Sequence, residues 1–280
     1  MNTKVIGSYD QLLEIVERER IDKIVVALED RRGTLPIQAL LACKQRGIEV
    51  EESVAFCEKL CGRVMLENLR PSWLIFSPGF AVSAFQRLQK RALDFVLAAM
   101  GLLLTWPIML AIAVSIKLDS RGPALYMQAR MGALGKQFTL LKFRSMYVDA
   151  ETATGPVFAD AEDPRVTRVG RFIRRVRLDE LPQLMNVLWG DMSFVGPRPE
   201  RPFFVEQYIK EIPFYDQRLN VKPGITGWAQ VRYPYGATLK DAEEKLRFDL
   251  FYVKNMSLLF DVFIIFKTIK IDLLGRGARG

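Results

Sequence analysis

Phe95 to Ile116 is a run of 22 residues without a charged side chain, with Arg87, Lys90 and Arg91 before it and Lys117 and Arg121 after it. At about 1.5 Å per residue, a helix of that length matches the hydrocarbon thickness of a bilayer. Three placements are open: a straight spanning helix, a buried core helix, or a bent helix that enters and leaves on one side. Two features favour the last. Pro107 sits in the middle of the run, where it removes a backbone hydrogen bond and bends the helix. Basic residues flank both ends, whereas a spanning helix carries them mainly on its cytoplasmic side. Asp94, at the edge of the run and close to Lys90 and Arg91, is costly in hydrocarbon and is expected to pair with them at the interface.

The rest of the chain has the make-up of a folded protein. Its 280 residues carry 40 Lys plus Arg against 32 Asp plus Glu, a formal net charge of +8, and half of them are apolar. That is enough chain for one large domain or two modest ones with a real core, and it excludes disorder and disulfide scaffolds. There is no histidine, which excludes Ser-His-Asp and Cys-His triads, histidine-held zinc and imidazole acid-base chemistry. Chemistry falls to carboxylates, Lys, Arg, Tyr, Ser, Thr or a metal held by oxygen. Cys43, Cys57 and Cys61 are odd in number, lack C-x-x-C spacing, and read as reduced thiols without a function. Met1 to Asp10 has no apolar core of a secretory signal. The positive excess suits nucleic acid, anionic lipid or phosphorylated substrates, and composition does not choose among them.

From Met1 to about Phe80, short apolar runs alternate with amphipathic stretches. Ile24 to Leu28 reads as a buried parallel strand. A surface helix with Leu12, Leu13, Ile15 and Val16 precedes it, and a helix over Pro36 to Gln45, ended by Gly47, follows it. Ile48 to Val50 and Trp73 to Phe76 read as further strands. Residues 1–80 are thus expected to form a small parallel α/β unit, with no G-x-G-x-x-G and so no dinucleotide fingerprint. Residues 81–125 form the membrane-associated segment, and residues 126–280 the mixed, polar part where chemistry is expected. Near its end, Leu239 to Asn255 and Met256 to Leu274 read as helices. The second is very apolar but interrupted by Asp261, Lys267 and Lys270, which suits a helix lying in the membrane interface; a packed core helix is the other reading.

Six arginines stand between residues 165 and 177: Arg165, Arg168, Arg171, Arg174, Arg175 and Arg177. Spacings of three and four put Arg168, Arg171 and Arg175 on one helical face. The run leads to Asp179 and Glu180, after which Pro182 opens a short apolar helix, Leu184 to Leu188, ended by Gly190. Asp179 there fits plain helix capping. As a functional pair, two carboxylates at a helix start beside arginines are expected to be held ionised by positive charge and the helix dipole. Ionised carboxylates suit attack on phosphorus or Mg²⁺ coordination better than acid catalysis, and arginine forks suit phosphate oxygens. Phosphoryl transfer is mostly positioning and charge stabilisation, so this kit is chemically sufficient.

Residues 178–202 read LDELPQLMNVLWGDMSFVGPRPERP. Upstream lie Gln128-Ala129-Arg130-Met131-Gly132 and Leu141-Lys142-Phe143-Arg144-Ser145-Met146, and downstream Val221-Lys222-Pro223-Gly224-Ile225-Thr226-Gly227-Trp228-Ala229-Gln230-Val231. From about Lys90 to the C-terminus, these motifs in this order closely resemble the bacterial sugar transferase family, the monotopic phosphoglycosyl transferases that start exopolysaccharide or glycan assembly on polyprenyl phosphate. The resemblance implies a catalytic dyad of Asp179 and Glu180. Asp179 then attacks the sugar-linked phosphate of a UDP-sugar, expels UMP and forms a covalent phosphosugar that polyprenyl phosphate resolves. It also implies Mg²⁺ at the dyad, with Asp179 as its ligand. Arg198, between Pro197 and Pro199, matches the family's phosphate and nucleotide contact, and Arg174 matches a second arginine near the phosphate. The two prolines stiffen the backbone that carries Arg198. Lys142 and Arg144 match a K-F-R motif, for which packing against anionic substrate or lipid is expected.

By the same resemblance the apolar run is a re-entrant membrane helix, with its break at Thr105-Trp106-Pro107. The N-terminal part is similar to the second half of a Rossmann-like, CoA-binding-like module of larger members, without its first strand and glycine loop. Tyr233-Pro234-Tyr235-Gly236 and Gly275-Arg276-Gly277-Ala278-Arg279 resemble the subgroup found with exopolysaccharide operons. The expected whole is an α/β chain: a small parallel N-terminal module, a re-entrant membrane helix hairpin, and a mainly helical α+β catalytic domain with interfacial amphipathic helices. The resemblance places it on the cytoplasmic face of the bacterial inner membrane, in contact with membrane lipid and paired as a homodimer. Two other classes are open. A non-catalytic membrane adaptor would bind anionic lipid or nucleotide through the arginines without releasing UMP. A nucleic-acid binder would show steeply salt-dependent affinity, but the aromatics fall in apolar segments instead of interleaving with the arginines, so no nucleic-acid partner is expected. No legible motif encodes the sugar.

Overall fold

The computed structural model describes residues 5–27, 35–69, 79–80, 83–148, 150, 163–233, 236 and 238–273. They fall into two units, residues 1–69 and residues 70–280. The first unit runs α1 (Leu12–Glu19), β1 (Lys23–Val26), α2 (Ile37–Gln45), β2 (Glu49–Glu52) and α3 (Ser53–Cys61). β1 and β2 pair in parallel, from Lys23 opposite Glu49 to Val26 opposite Glu52, and a parallel pair needs a crossover such as the one containing α2. Ile15, Val16, Cys43 and Val64 are buried. α2 stops as expected: Gly47 takes a φ of +86°, a left-handed conformation that glycine adopts without strain. The unit is α/β in kind, but the described residues hold two strands, fewer than a Rossmann-like module has. The expected strand Trp73 to Phe76 lies outside the described residues, as do Pro234, Tyr235 and the Gly275 to Arg279 tail. All three cysteines are unbridged.

The second unit begins with α4 (Ala84–Asp119), 36 residues long, opened by a capping box between Ser83 and Gln86. The helix continues through Pro107, so the expected break is not a loop between two separate arms. It is long and apolar enough to cross a membrane, and only 11% of its most apolar 18-residue stretch is buried. It differs from a core helix in that most of its apolar surface is left uncovered by the described residues of its own unit. Leu103 and Leu104 are each 72% exposed.

Next come the antiparallel hairpin β3 (Leu125–Met131) and β4 (Gln137–Phe143), then α5 (Arg168–Arg175), α6 (Gln183–Trp189), β5 (Ser193–Val195) and α7 (Pro202–Glu211). β6 (Gly224–Thr226), parallel to β5, leads to α8 (Trp228–Arg232), α9 (Leu239–Lys254) and α10 (Leu258–Leu273). Ala98 of α4 clusters with Leu140, Val187 and Met192, while Ile112 and Ile116 cluster with Phe143 and Ile173. Both sides of Pro107 thus pack on the same unit. α10 buries Asp261 and Ile264 and leaves Leu259, Val262 and Phe266 exposed.

Asp94 departs from expectation. Instead of pairing with its neighbours in sequence, it accepts hydrogen bonds from Ser193 Oγ (3.0 Å) and Phe194 N (2.9 Å). Lys90 pairs with Asp261 at 2.6 Å, and Arg91 donates to the carbonyls of Val187 and Leu188 at the end of α6. The physical reason is burial: the polar groups of β5 lie inside and need an acceptor, and a carboxylate on the facing helix supplies one.

Candidate active site

Thr167 caps α5 through its side chain, which accepts from Gly170 N. Just past the helix, Arg177 takes a φ of +57°, uncommon for a residue with a side chain. This turns the chain into a single 3-10 turn, Leu178–Glu180, that brings both acids within reach of Lys142 on β4. Pro182 precedes α6 and no side chain caps that helix, so Asp179 is not a capping residue.

Glu180 is the hub of the site. Its Oε1 accepts from Lys142 Nζ and from Arg198 Nη2, each at 3.0 Å, and its Oε2 lies 3.7 Å from Arg177 Nη2. Asp179 Oδ2 stands 3.9 Å from Lys142 Nζ. The two acids are largely buried, with side chains 13% and 11% exposed, yet their environments push them apart. Burial raises the Glu180 carboxyl, but Lys142, Arg198 and Arg177 overcome this and hold it far below the usual carboxylate range. Burial also raises Asp179, where Lys142 only partly opposes it and the charge of Glu180 adds to the rise. The expectation that both acids are held firmly ionised therefore applies to Glu180, and Asp179 is the more basic partner. A pair split in this way has one member suited to holding cations and one suited to reacting.

Arg174 acts on Asp179 through its charge. Pro197 and Pro199 lend their carbonyls to Gly224 N (2.9 Å) and Arg130 Nη1 (3.2 Å), fixing the loop that carries Arg198. Here loop and strand touch closely: a Cβ on Gly224 would lie 2.1 Å from Gly196 N. Arg144 is placed elsewhere. It is 4% exposed, and its guanidinium donates to the carbonyls of Ser120 and Arg121 and to Ser120 Oγ, closing the carbonyls left open at the end of α4. Pro107 belongs to α4 and not to the dyad. Sequence reading did not single out Arg177 as a partner of the dyad, and a left-handed arginine has no local signature.

Among the described residues no three Asp, Glu, His or Cys side chains converge into a metal cage. The oxygens of Glu180 are engaged, so Asp179 is the one carboxylate the dyad offers. Mg²⁺ is commonly held by one or two carboxylates, water and substrate phosphates. The dyad fits such an ion through one carboxylate, Asp179, with the other positions left to water and phosphate oxygens.

Residues 85–275 match the model of a family described as bacterial sugar transferase. The chain belongs to the bacterial sugar transferase family. The match includes α4, the dyad and the Arg198 loop, and leaves the first unit outside. The chain is 44% identical over 261 residues to the UDP-N-acetylgalactosamine-undecaprenyl-phosphate N-acetylgalactosaminephosphotransferase of Aeromonas hydrophila, covering 93% of the chain and 61% of that relative. It is 36% identical over 282 residues to the undecaprenyl-phosphate glucose phosphotransferase of Komagataeibacter xylinus, covering 97% and 52%. It is 48% identical over 190 residues to the UDP-glucose:undecaprenyl-phosphate glucose-1-phosphate transferase of Escherichia coli K12, covering 67% and 41%. The chain spans about half the length of these relatives.

Proposed function

We propose that the protein transfers a sugar-1-phosphate from a UDP-sugar to polyprenyl phosphate, giving polyprenyl-diphospho-sugar and UMP. The split dyad carries this reading: a basic, buried Asp179 beside a Glu180 that gathers Lys142, Arg198 and Arg177. An Asp179 oxygen attacks the phosphorus bearing the sugar. The bond from that phosphorus to the bridging oxygen breaks, and UMP leaves with the oxygen and its electron pair. An oxygen of polyprenyl phosphate then attacks the same phosphorus and frees Asp179. Arg198, Arg174 and Lys142 supply positive charge to the phosphate oxygens through both displacements. Mg²⁺, when held by Asp179 and the diphosphate, supplies further charge neutralisation. The relatives' names support the lipid and the reaction class, and they name two sugars. The test is UMP release from a panel of UDP-sugars by protein in nanodiscs with Mg²⁺ and polyprenyl phosphate. Release that needs the lipid is expected with at least one sugar; nucleotide binding without release from any of them would favour the adaptor.

The acid limb of kcat/KM follows protonation of Asp179, because only its ionised form attacks. It should lie above the ordinary aspartate range, since burial raises that carboxyl. Glu180→Gln removes a charge that raises Asp179, so the limb moves to lower pH. Lys142→Met removes one that lowers it, so the limb moves to higher pH. Profiles of the three proteins check both signs, and a limb unmoved in both variants would take Asp179 out of the titration.

At the membrane, α4 dips into the cytoplasmic leaflet and returns, with α10 lying in the interface. This reading is supported by an exposed apolar middle whose two flanks pack on one unit, and by cations at both ends. In a variant lacking Cys43, Cys57 and Cys61, cysteines introduced as Arg87→Cys and Arg121→Cys should react alike with an impermeant maleimide. Protection of one but not the other would mean that α4 spans.

A further inference from the structure

Four successive carbonyls of the loop after β5 each accept a hydrogen bond. Pro197 O takes it from Gly224 N (2.9 Å), Arg198 O from Arg218 Nη2 (3.0 Å), Pro199 O from Arg130 Nη1 (3.2 Å) and Glu200 O from Met131 N (2.9 Å). Two of these four residues are prolines without an N–H, so the loop is held through its carbonyls.

The donor at Arg198 is itself fixed. Arg218 is 5% exposed, and its Nε and Nη2 meet Asp249 Oδ2 at 2.9 and 2.8 Å. Its Nη1 donates to Tyr215 Oη at 2.7 Å, and the guanidinium lies 5.1 Å from that ring's centre. Asp249, on α9, is 1% exposed. A buried ion pair of this kind is a poor source of stability, because desolvation offsets most of the attraction and apolar replacements often do as well. What it supplies is a rigid, planar donor aimed at one carbonyl. From the other side of the same residue, the Arg198 guanidinium reaches Glu180. A continuous line thus runs from the interior of α9 through Asp249, Arg218 and the Arg198 backbone to the dyad.

We propose that Arg218, fixed by Asp249 and Tyr215, is a positioning residue that sets the register in which Arg198 meets Glu180 and the substrate diphosphate. This rests on the transferase reading of the dyad. Catalytic groups tolerate about 0.5 Å of misplacement, and a shift of 1 Å costs about 100-fold in rate.

The experiment is a double-mutant cycle. Arg218→Lys and Tyr215→Phe are each measured alone and combined with Arg198→Lys, with kcat and KM for UMP release resolved separately and folding checked by thermal melting. Alone, Arg218→Lys should lower kcat/KM by about 100-fold, with Tyr215→Phe less severe. In the Arg198→Lys background the same changes should cost no more than about twofold, because the group they position is gone. Losses that multiply in full across the two backgrounds would overturn the proposal and leave Arg218 with a general structural role. Should Arg218→Lys fail to fold, Tyr215→Phe, which keeps the ion pair and removes one hydroxyl, decides alone: wild-type kcat and KM in that variant also overturn it. A wild type that releases no UMP fails the transferase reading itself. In that case, or where Arg198→Lys has no measurable turnover, UDP affinity by titration carries the same cycle.

Discussion

Asp179→Asn is expected to lower UMP release by at least about 10³-fold. Asparagine keeps the size of aspartate and removes the attacking oxygen's charge, so the nucleophile is lost with little change in packing. The fold should tolerate the change well. Burial raises the Asp179 carboxyl above its ordinary value, so the folded state binds its proton more tightly than the unfolded chain does. Stability from this group is then highest at low pH and declines as pH rises through the folded pKa. Once ionised, the buried carboxylate is a strain on the fold, and a neutral amide relieves it. A melting temperature equal to or above that of the wild type, together with lost turnover, is the expected pair of results. A radiolabelled sugar-phosphate adduct, trapped on the wild type in the absence of polyprenyl phosphate, should be missing from the variant. Full turnover by Asp179→Asn would remove Asp179 as the nucleophile.

Glu180→Ala should cost about 10² to 10³ in kcat/KM, the size of effect seen when a preorganised electrostatic partner is deleted. Lys142 and Arg198 share one oxygen of Glu180, and Arg177 stands near the other. Without the carboxylate, three cations are left facing one another, and Lys142 and Arg198 lose the anchor that sets their spacing. Glu180→Asp should recover only part of the loss, because the shorter side chain reaches one cation at a time. Stability should fall too, though less than for a sealed ion pair. Arg177 and Arg198 are about one-third exposed and can turn to solvent, so a loss of roughly 1–2 kcal/mol is expected. Kinetics and denaturant melts of the two variants check both effects. Wild-type turnover in Glu180→Ala would show that the cations are held by something else.

Much of the second unit was legible because its signals are local. The uncharged run with Pro107 and its flanking cations gave a long apolar helix, and Pro182 and Gly190 bracketed α6. The order of short motifs around Asp179, Glu180 and Arg198 gave the family. In the first unit, β1, α2 and β2 followed from hydrophobic period and a stop glycine. α3 went unread because it starts at Ser53, directly after Glu52 of β2, with no glycine or proline between them. Helical period, turn residues and contiguous motifs are short-range properties, and a sequence carries them in full.

Only the tertiary structure decided which partner each charge takes. Asp94 bypasses Lys90 and Arg91 for Ser193 and Phe194 about a hundred residues away, and Arg144, expected against anionic substrate or lipid, instead closes the end of α4. Arg218 finds Asp249 on another helix, and two adjacent acids acquire opposite shifts. Coulomb attraction and desolvation depend on distance in space and on the depth of burial, and spacing along the chain records neither.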